Sequence, residues 1–483
     1  MKRLFHFAIT SIFVFATSCS SFVKDMNVDP NNVTDAPADM MLTGAQVASI
    51  NFNGSRIAII SNMWSGYMTG IQRQYLNYQN YQYTAVETDD AWTYIYNQTY
   101  IQLEKAIGKY READNQRGIG IARVMQSYVM GSGAALYGDI PFSQFGNPQQ
   151  FPNPVFDPQA SVYAGVQKLL DEGIVALESG KGAVTNKADI FFNGDAAKWI
   201  AVAHTLKARL YMETREYDKA YNEALKGIVS PAGSLLSPHT AIAGTRNRYY
   251  LHNVEERAGD VSARNAYLTT ILDPASKTYR GNAKTDETAR FNFYYVNLGT
   301  KGITGEIEPN YLSVARGDSL NGAIAMNASS PMVTYEENLL TMAEAAARKP
   351  DFTLALTHLN KFREFMRSGG YMDPTYRSSY SLKYDAYTEA DFTSGGIANP
   401  TSLDKTRALL EEILEERYVT FFVRLIGFND IRRTRKEGIG VKLTPATGNR
   451  LPERFFYGQN EINSNANTPN PLPNLFEPTA INK

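Results

Sequence analysis

The stretch that decides the fold is DAAKWIAVAHTLKARLYMETREYDKAYNEALKGIVSP, residues 195–231. Its apolar residues recur every three or four positions, at Trp199, Val202, Ala203, Leu206, Leu210 and Tyr211. This spacing predicts an amphipathic helix, because such positions share one face of a helix. A second helix is predicted directly after it, and the small residues Ala208 and Ala220 favour close packing of the two. The stretch is therefore typical of a tetratricopeptide helical pair.

A second stretch repeats this arrangement in NLLTMAEAAARKPDFTLALTHLNKFREFMRSGG, residues 338–370. Ala343 and Ala355 are separated by the same interval as the two alanines of the first pair. Residues 244–335 and 370–402 lose the helical periodicity and are rich in Gly, Asn, Pro, Ser and Tyr. Irregular segments of that length usually carry function on a rigid scaffold. We predict a mostly α protein, built as a tetratricopeptide-like scaffold of helical pairs with two long irregular insertions.

Composition excludes several classes of protein. The chain has 483 residues and a formal net charge of −1, without a long run of Lys or Arg. Nucleic-acid binding needs a concentrated basic surface, so we expect no nucleic-acid partner. One cysteine and five histidines leave little material for a disulfide framework or a metal centre. We therefore expect no metal and no cofactor.

The N-terminus has the pattern of an export signal. Lys2 and Arg3 precede an apolar run over residues 4–16, which is too short to span a bilayer comfortably. The only cysteine, Cys19, follows small residues in the manner of a lipobox, in which the thiol is acylated. The alternative is a chance cysteine near an ordinary cleavage site. We predict a signal peptide over residues 1–18 and lipidation at Cys19.

Lipidation would decide how the mature chain meets a membrane. Buried acyl chain contributes about 0.8 kcal/mol per CH₂, so several chains on one residue anchor a protein without a spanning helix. Residues 19–45 begin with a stretch rich in Ser, Asn, Asp and Pro, and we predict a lipidated tether there. Residues 46–483 are predicted to form a single helical domain, with its insertions near 244–335 and 370–402.

No sequence motif indicates an enzyme. The paired carboxylates are Asp89 with Asp90, and the group Glu411, Glu412, Glu415 and Glu416. A glycosidase uses two carboxylates, but neighbouring acids on one helix turn are more often a solvated charged face. The chain also lacks a GxSxG elbow, a phosphate-binding loop and an HExxH pair. We predict that the protein is not an enzyme and that it has no catalytic residues.

Several motifs together resemble the SusD/RagB family, and they occur in that family's order. They are NVDPNNVTDAP (27–37), YGDIPFSQ (137–144), FFNGDAAKWIAVAHTLKARLYM (191–212), LLTMAEAAAR (339–348), LEEILEERYVTFFVRLIGFNDIRR (410–433) and RLPERFFYGQNEINSN (450–465). The resemblance covers nearly the whole mature chain. It is greatest to the subgroup of starch-binding proteins that associate with the outer membrane.

The resemblance implies a lipoprotein on the outer membrane of a Gram-negative bacterium, facing the cell exterior. Such a protein binds oligosaccharides and delivers them to a SusC-like TonB-dependent transporter, its partner in the membrane. Two alternatives stay open. One is a peptide-binding lipoprotein on the same scaffold, and the other is a surface glycan hydrolase.

The candidate ligand-binding residues are tyrosines interleaved with polar side chains. Aromatic faces stack on sugar rings, and amides bond to hydroxyls, which suits a polyhydroxylated ligand. The predicted ligand-binding residues are Arg73, Tyr75, Asn77, Tyr78, Tyr81 and Tyr83, together with Tyr294 in the first insertion. The alternative for Tyr75, Tyr78 and Tyr81 is one buried helical face, because they recur at every third position. The alternative for the Tyr294 segment is a buried strand.

Overall fold

The protein is mostly α-helical, as predicted. The structure, a computed structural model, describes residues 36–185, 187–301 and 306–483. Its α-helices in chain order are α1 (Ala38–Asn53), α2 (Arg56–Trp64), α3 (Arg73–Gln79), α4 (Asp89–Thr93), α5 (Ile101–Glu112), α6 (Gln116–Tyr137), α7 (Gln159–Glu178), α8 (Ala196–Glu213), α9 (Tyr217–Ala224), α10 (Arg248–Tyr250), α11 (Tyr267–Leu272), α12 (Thr288–Tyr294), α13 (Tyr335–Arg348), α14 (Phe352–Arg367), α15 (Pro374–Arg377), α16 (Lys405–Thr420), α17 (Leu425–Thr434) and α18 (Gln459–Ser464). A π-helical segment, Tyr94–Tyr100, joins α4 to α5.

Strands are short and pair only in twos within the described residues. They are β1 (Thr69–Gly70), β2 (Ile140–Pro141), β3 (Phe156–Asp157), β4 (Leu235–Ser237), β5 (Val261–Ser262), β6 (Thr285–Asp286), β7 (Tyr295–Asn297), β8 (Ile307–Pro309), β9 (Ser330–Val333) and β10 (Lys383–Tyr384). The antiparallel pairs are β1–β5, β2–β3, β4–β9, β6–β10 and β7–β8. These two-stranded pairs connect neighbouring loops and do not form a larger sheet among the described residues.

The two predicted helical pairs are present as α8–α9 and α13–α14. Each long helix begins at a polar cap that binds a free backbone N–H: Asp195 accepts from Lys198 before α8, and Asp351 accepts from Leu354 before α14. All four alanines at the predicted helix contacts are fully buried, namely Ala208, Ala220, Ala343 and Ala355. The tetratricopeptide-like prediction is confirmed.

Helices pack in series from α5 to α9, and α9 then packs on α13. α13 contacts both α14 and α16. No described helix is both long enough and apolar enough to cross a membrane. The serial arrangement forms the scaffold from which the irregular segments extend.

The folded body begins before the predicted domain boundary. α1 starts at Ala38, and Leu42 and Ala45 are fully buried within the stretch assigned to the tether. The predicted signal peptide, Cys19 and the tether up to residue 35 lie outside the described residues.

The insertion over 244–335 contains, in its described part, only helices and strands of at most seven residues. Its two ends meet at the pair β4–β9, where Leu235 faces Val333 and Ser237 faces Ser330. The chain thus leaves the scaffold after α9 and returns to it just before α13.

A buried ionic group, the Glu344 cluster, joins α13 to α16 and α17. It consists of Glu344, Arg348, Arg417, Asp430 and Arg433. The Glu344 carboxylate oxygens lie 2.7 Å, 2.6 Å and 3.0 Å from guanidinium nitrogens of Arg433, Arg348 and Arg417, respectively. Burial alone would raise the pKa of Glu344, but the three guanidinium charges outweigh it and hold that pKa well below its usual range.

The prediction that the carboxylates on α16 form a solvated charged face is wrong for Glu416. Glu416 is not part of a solvated face: it is fully buried and lies 3.0 Å from Arg280 and 3.1 Å from Arg290. Burial would raise its pKa, but these two arginines lower it to about 2. The acidic face of α16 is therefore the attachment point for the arginines of the 244–335 insertion.

Candidate functional site

The predicted tyrosines do not share one surface. Tyr75, Tyr78 and Tyr83 are only 3%, 4% and 6% exposed. The Tyr78 ring lies 5.4 Å from that of Tyr75 and 6.2 Å from that of Tyr83, measured between ring centroids. In this conformation the three rings contact other aromatic rings, as the buried-face alternative requires for Tyr75 and Tyr78.

The remaining predicted residues are scattered. Tyr294 is 8% exposed and stacks on Phe422 at 4.6 Å between centroids. Tyr294 is the last residue of helix α12 and is not part of a strand. Asn77 is exposed on α3. Arg73 is also exposed, and its guanidinium pairs with the buried carboxylate of Asp260. Direct ligand contact by these residues stays a prediction.

Tyr81 is the predicted tyrosine that reaches a cleft. α3 ends at Gln79, and Tyr81 has a left-handed φ of 63°, so it leaves the helical face shared by Tyr75 and Tyr78. It is half-buried, and its hydroxyl accepts a hydrogen bond from the backbone N–H of Ala446 at 2.9 Å. Burial raises its pKa, so the hydroxyl is neutral near pH 7.

A depression of about 290 Å³, the aromatic cleft, opens beside Tyr81. Tyr267 at the start of α11 faces it and is half-buried, and Trp64 lies at its base. Burial raises the pKa of Tyr267 to about 12. The polar lining consists of Thr69, Gln79, Asn265, Thr270 and Thr444. Two neutral phenols among amides and hydroxyls offer stacking faces and hydrogen bonds to a polyhydroxylated molecule.

Sequence reasoning missed the far wall of this cleft. Asn265 and Tyr267 come from the first insertion, and Leu443, Thr444 and Ala446 come from a loop near the C-terminus. Pro and Gly in residues 441–451 indicate a surface loop. No local pattern, however, places that loop beside α3.

A second depression, the basic depression, adjoins the aromatic cleft. It has a volume of about 380 Å³, and its lining shares Leu443 and Leu451 with the cleft. Its charged lining residues are Arg435, Lys442, Arg450 and Glu453. Within residues 36–185, 187–301 and 306–483, no group of three or more His, Cys, Asp or Glu side chains is placed to hold a metal ion.

The fold and the cleft define a class: a tetratricopeptide-like helical scaffold that presents a solvent-open cleft on its irregular segments. The chain belongs to the SusD-like family described as starch-binding associating with the outer membrane, whose family model matches residues 30–457. Members of this family are binding proteins rather than enzymes. A comparison with curated protein sequences gives no match.

Solved structures share the fold at low sequence identity. A SusD homolog from Bacteroides uniformis is 17% identical with a TM-score of 0.67, covering 92% of this chain and 99% of that chain. A SusD homolog from Bacteroides fragilis is 15% identical with a TM-score of 0.67, covering 93% and 100%. A chitin-binding SusD homolog from Flavobacterium johnsoniae is 16% identical with a TM-score of 0.61, covering 88% and 94%.

Proposed function

We propose that this protein is a cell-surface lipoprotein that binds oligosaccharides in the aromatic cleft and delivers them to a SusC-like TonB-dependent transporter. The observation that carries the proposal is the pairing of Tyr81 and Tyr267 with amide and hydroxyl side chains in one open cleft, on a chain of the SusD-like family. The role is binding without catalysis. The chitin-binding relative adds support for a glycan ligand.

The single most informative test is a glycan and peptide array probed with the mature, acyl-free Cys19→Ala protein. Binding of oligosaccharides is the expected result. Binding of peptides alone would replace the glycan with a peptide ligand, and turnover of any bound saccharide would contradict the non-enzymatic role. Co-purification of a large TonB-dependent barrel with the wild-type protein tests the transporter partner.

The Tyr81 ring should contribute to ligand affinity. We expect Tyr81→Ala to weaken oligosaccharide binding by about 1–2 kcal/mol, because it removes an aromatic stacking face. Tyr81→Phe should keep most of the affinity, since the ring remains. The measurement is titration calorimetry with a saccharide identified on the array. Tyr211, half-buried on α8 and outside the cleft lining, provides the control Tyr211→Ala. Wild-type affinity in Tyr81→Ala would remove Tyr81 from the site.

The lipid anchor has its own test. Because Cys19 is proposed to carry the acyl chains, Cys19→Ala should leave a folded protein that no longer fractionates with the outer membrane. Fractionation is compared in cells that lack the transporter, so that the partner does not retain the protein. If the variant remains in the membrane fraction to the wild-type extent, Cys19 is not the anchor.

A further inference from the structure

The basic depression carries more positive charge than its own carboxylate balances. Arg435 is neutralised by Glu453, with their charged atoms 2.6 Å apart. Lys442 and Arg450 are exposed, and no carboxylate of the described residues lies within ion-pair distance of either. Two uncompensated cations thus line one concave surface, on a chain whose net charge is −1.

The cation of Arg450 is held in place by uncharged groups. Its guanidinium donates a hydrogen bond to the backbone carbonyl of Phe476 and lies 5.6 Å from the centre of the Phe476 ring. These contacts leave other N–H groups of the guanidinium for a further acceptor, because an arginine has five N–H donors in a rigid fork. Such a group is suited to a carboxylate or sulfate oxygen.

The basic depression and the aromatic cleft form one continuous surface. Leu443 and Leu451 line both, and the loop that carries them is fixed to Tyr81 through the Ala446 N–H. Each volume is close to or within the range of about 300–1,000 Å³ typical of small-ligand sites. A chain of sugars that stacks on Tyr81 can therefore extend past Leu443 and reach the cations.

We propose that the ligand is an acidic oligosaccharide, whose sugar rings occupy the aromatic cleft while a carboxylate or sulfate group binds Lys442 and Arg450. This inference rests on the proposed function and names the substrate class of that site. A neutral saccharide would leave both cations without a counter-charge. An anionic lipid surface is a poorer fit, because the cations line a concave surface that continues into a stacking cleft.

The test compares acidic saccharides with neutral ones of the same skeleton. The probes are tetrasaccharides of galacturonate, of mannuronate and of chondroitin sulfate, each beside a neutral counterpart. The neutral counterpart is carboxyl-reduced for the two uronates, and both carboxyl-reduced and desulfated for chondroitin sulfate. They are titrated into the mature Cys19→Ala protein. We expect at least one acidic probe to bind about tenfold more tightly than its neutral counterpart. Added NaCl should weaken the acidic probe only, since salt screens exposed charges.

Paired variants locate the effect. Lys442→Gln with Arg450→Gln should bring the acidic probe down to the affinity of its neutral counterpart. Lys361→Gln with Arg367→Gln makes the same charge change on exposed residues of α14, away from the depression, and should leave affinity unchanged. Tyr81→Ala should weaken both forms of the probe, because both use the stacking face.

Three outcomes would overturn the inference. Equal affinity for acidic and neutral probes would do so while leaving the proposed function intact. Binding to phosphatidylglycerol vesicles that depends on Lys442 and Arg450, without any saccharide binding, would assign the cations to a membrane surface. Failure to bind any saccharide on the array or in this panel, acidic or neutral, would remove the proposed function as well.

Discussion

Replacing Glu344 by glutamine should destabilise the protein by about 3–5 kcal/mol, because it leaves buried arginines short of a counter-charge. Glu344 is the centre of its cluster: Arg433 binds both of its oxygens, at 2.7 and 2.8 Å, and two further arginines complete the contact. The substitution nearly keeps the shape of the side chain, but it removes the charge and turns one acceptor oxygen into an NH₂ donor that faces the arginines. Guanidinium unfolding followed by circular dichroism measures the loss.

A matched control lies at the edge of the same cluster. Glu437 pairs with Arg348 at 2.9 Å but is a quarter exposed, so Glu437→Gln should cost about 1 kcal/mol or less. If Glu344→Gln is equally mild, the cluster does not hold α13 against α16 and α17.

The same carboxylate predicts a direction for acid sensitivity. Its pKa is lower in the folded protein than in the unfolded chain, where it is about 4.3. The stabilisation is therefore complete above that value and is lost as pH falls toward the folded pKa. We expect Glu344→Gln to flatten the decline in stability below about pH 4.

Tyr78→Ala should destabilise the protein by about 3 kcal/mol or more, as large-to-small changes in a core do. The Tyr78 ring lies between those of Tyr75 and Tyr83, and its backbone carbonyl accepts the Trp64 indole N–H at 2.9 Å. Melting temperature and saccharide affinity, measured on the same variant, separate a core role from a ligand role. A stable variant with lost affinity would make Tyr78 a ligand-contact residue.

The conservative variant at this position refines the result. Tyr78→Phe keeps the ring and loses only the hydrogen bond to Glu87, which spans 3.2 Å, so it should cost about 1 kcal/mol. Comparing the stability and affinity of Tyr78→Ala with those of Tyr81→Ala then tests whether Tyr78 belongs to the core and Tyr81 to the aromatic cleft.

The helical scaffold could be predicted because its signals are local. The apolar spacing of α8 and the cap at Asp195 both lie within one short stretch of chain. α1 gave no comparable signal, because it begins after Pro37 without a side-chain cap and follows a polar, Pro-containing stretch. The predicted start of the domain, residue 46, therefore lies inside α1.

The site was less predictable, because its geometry depends on distant contacts. A spacing of three placed Tyr81 on the same helical face as Tyr75 and Tyr78, and only the early end of α3 turns it away. The sequence around Glu416 likewise predicts a surface residue, because the contacts that bury it are distant in sequence. Its burial depends on Arg280 and Arg290, which belong to the 244–335 insertion and are 136 and 126 residues away in sequence, respectively.

The pairing of β4 with β9 has an evolutionary consequence. Since the chain departs and returns at one point, exposed parts of the intervening segment can be lengthened or shortened while the helices keep their places. Chain entropy opposes such change only weakly, by about 0.6 kcal/mol for each doubling of a loop. A replacement must supply cations where Arg280 and Arg290 now neutralise Glu416. It must also refill the core positions of Tyr249 and Tyr295. We therefore expect variation in this segment to be concentrated in its exposed residues, while the residues that pack on the scaffold or pair with Glu416 are constrained.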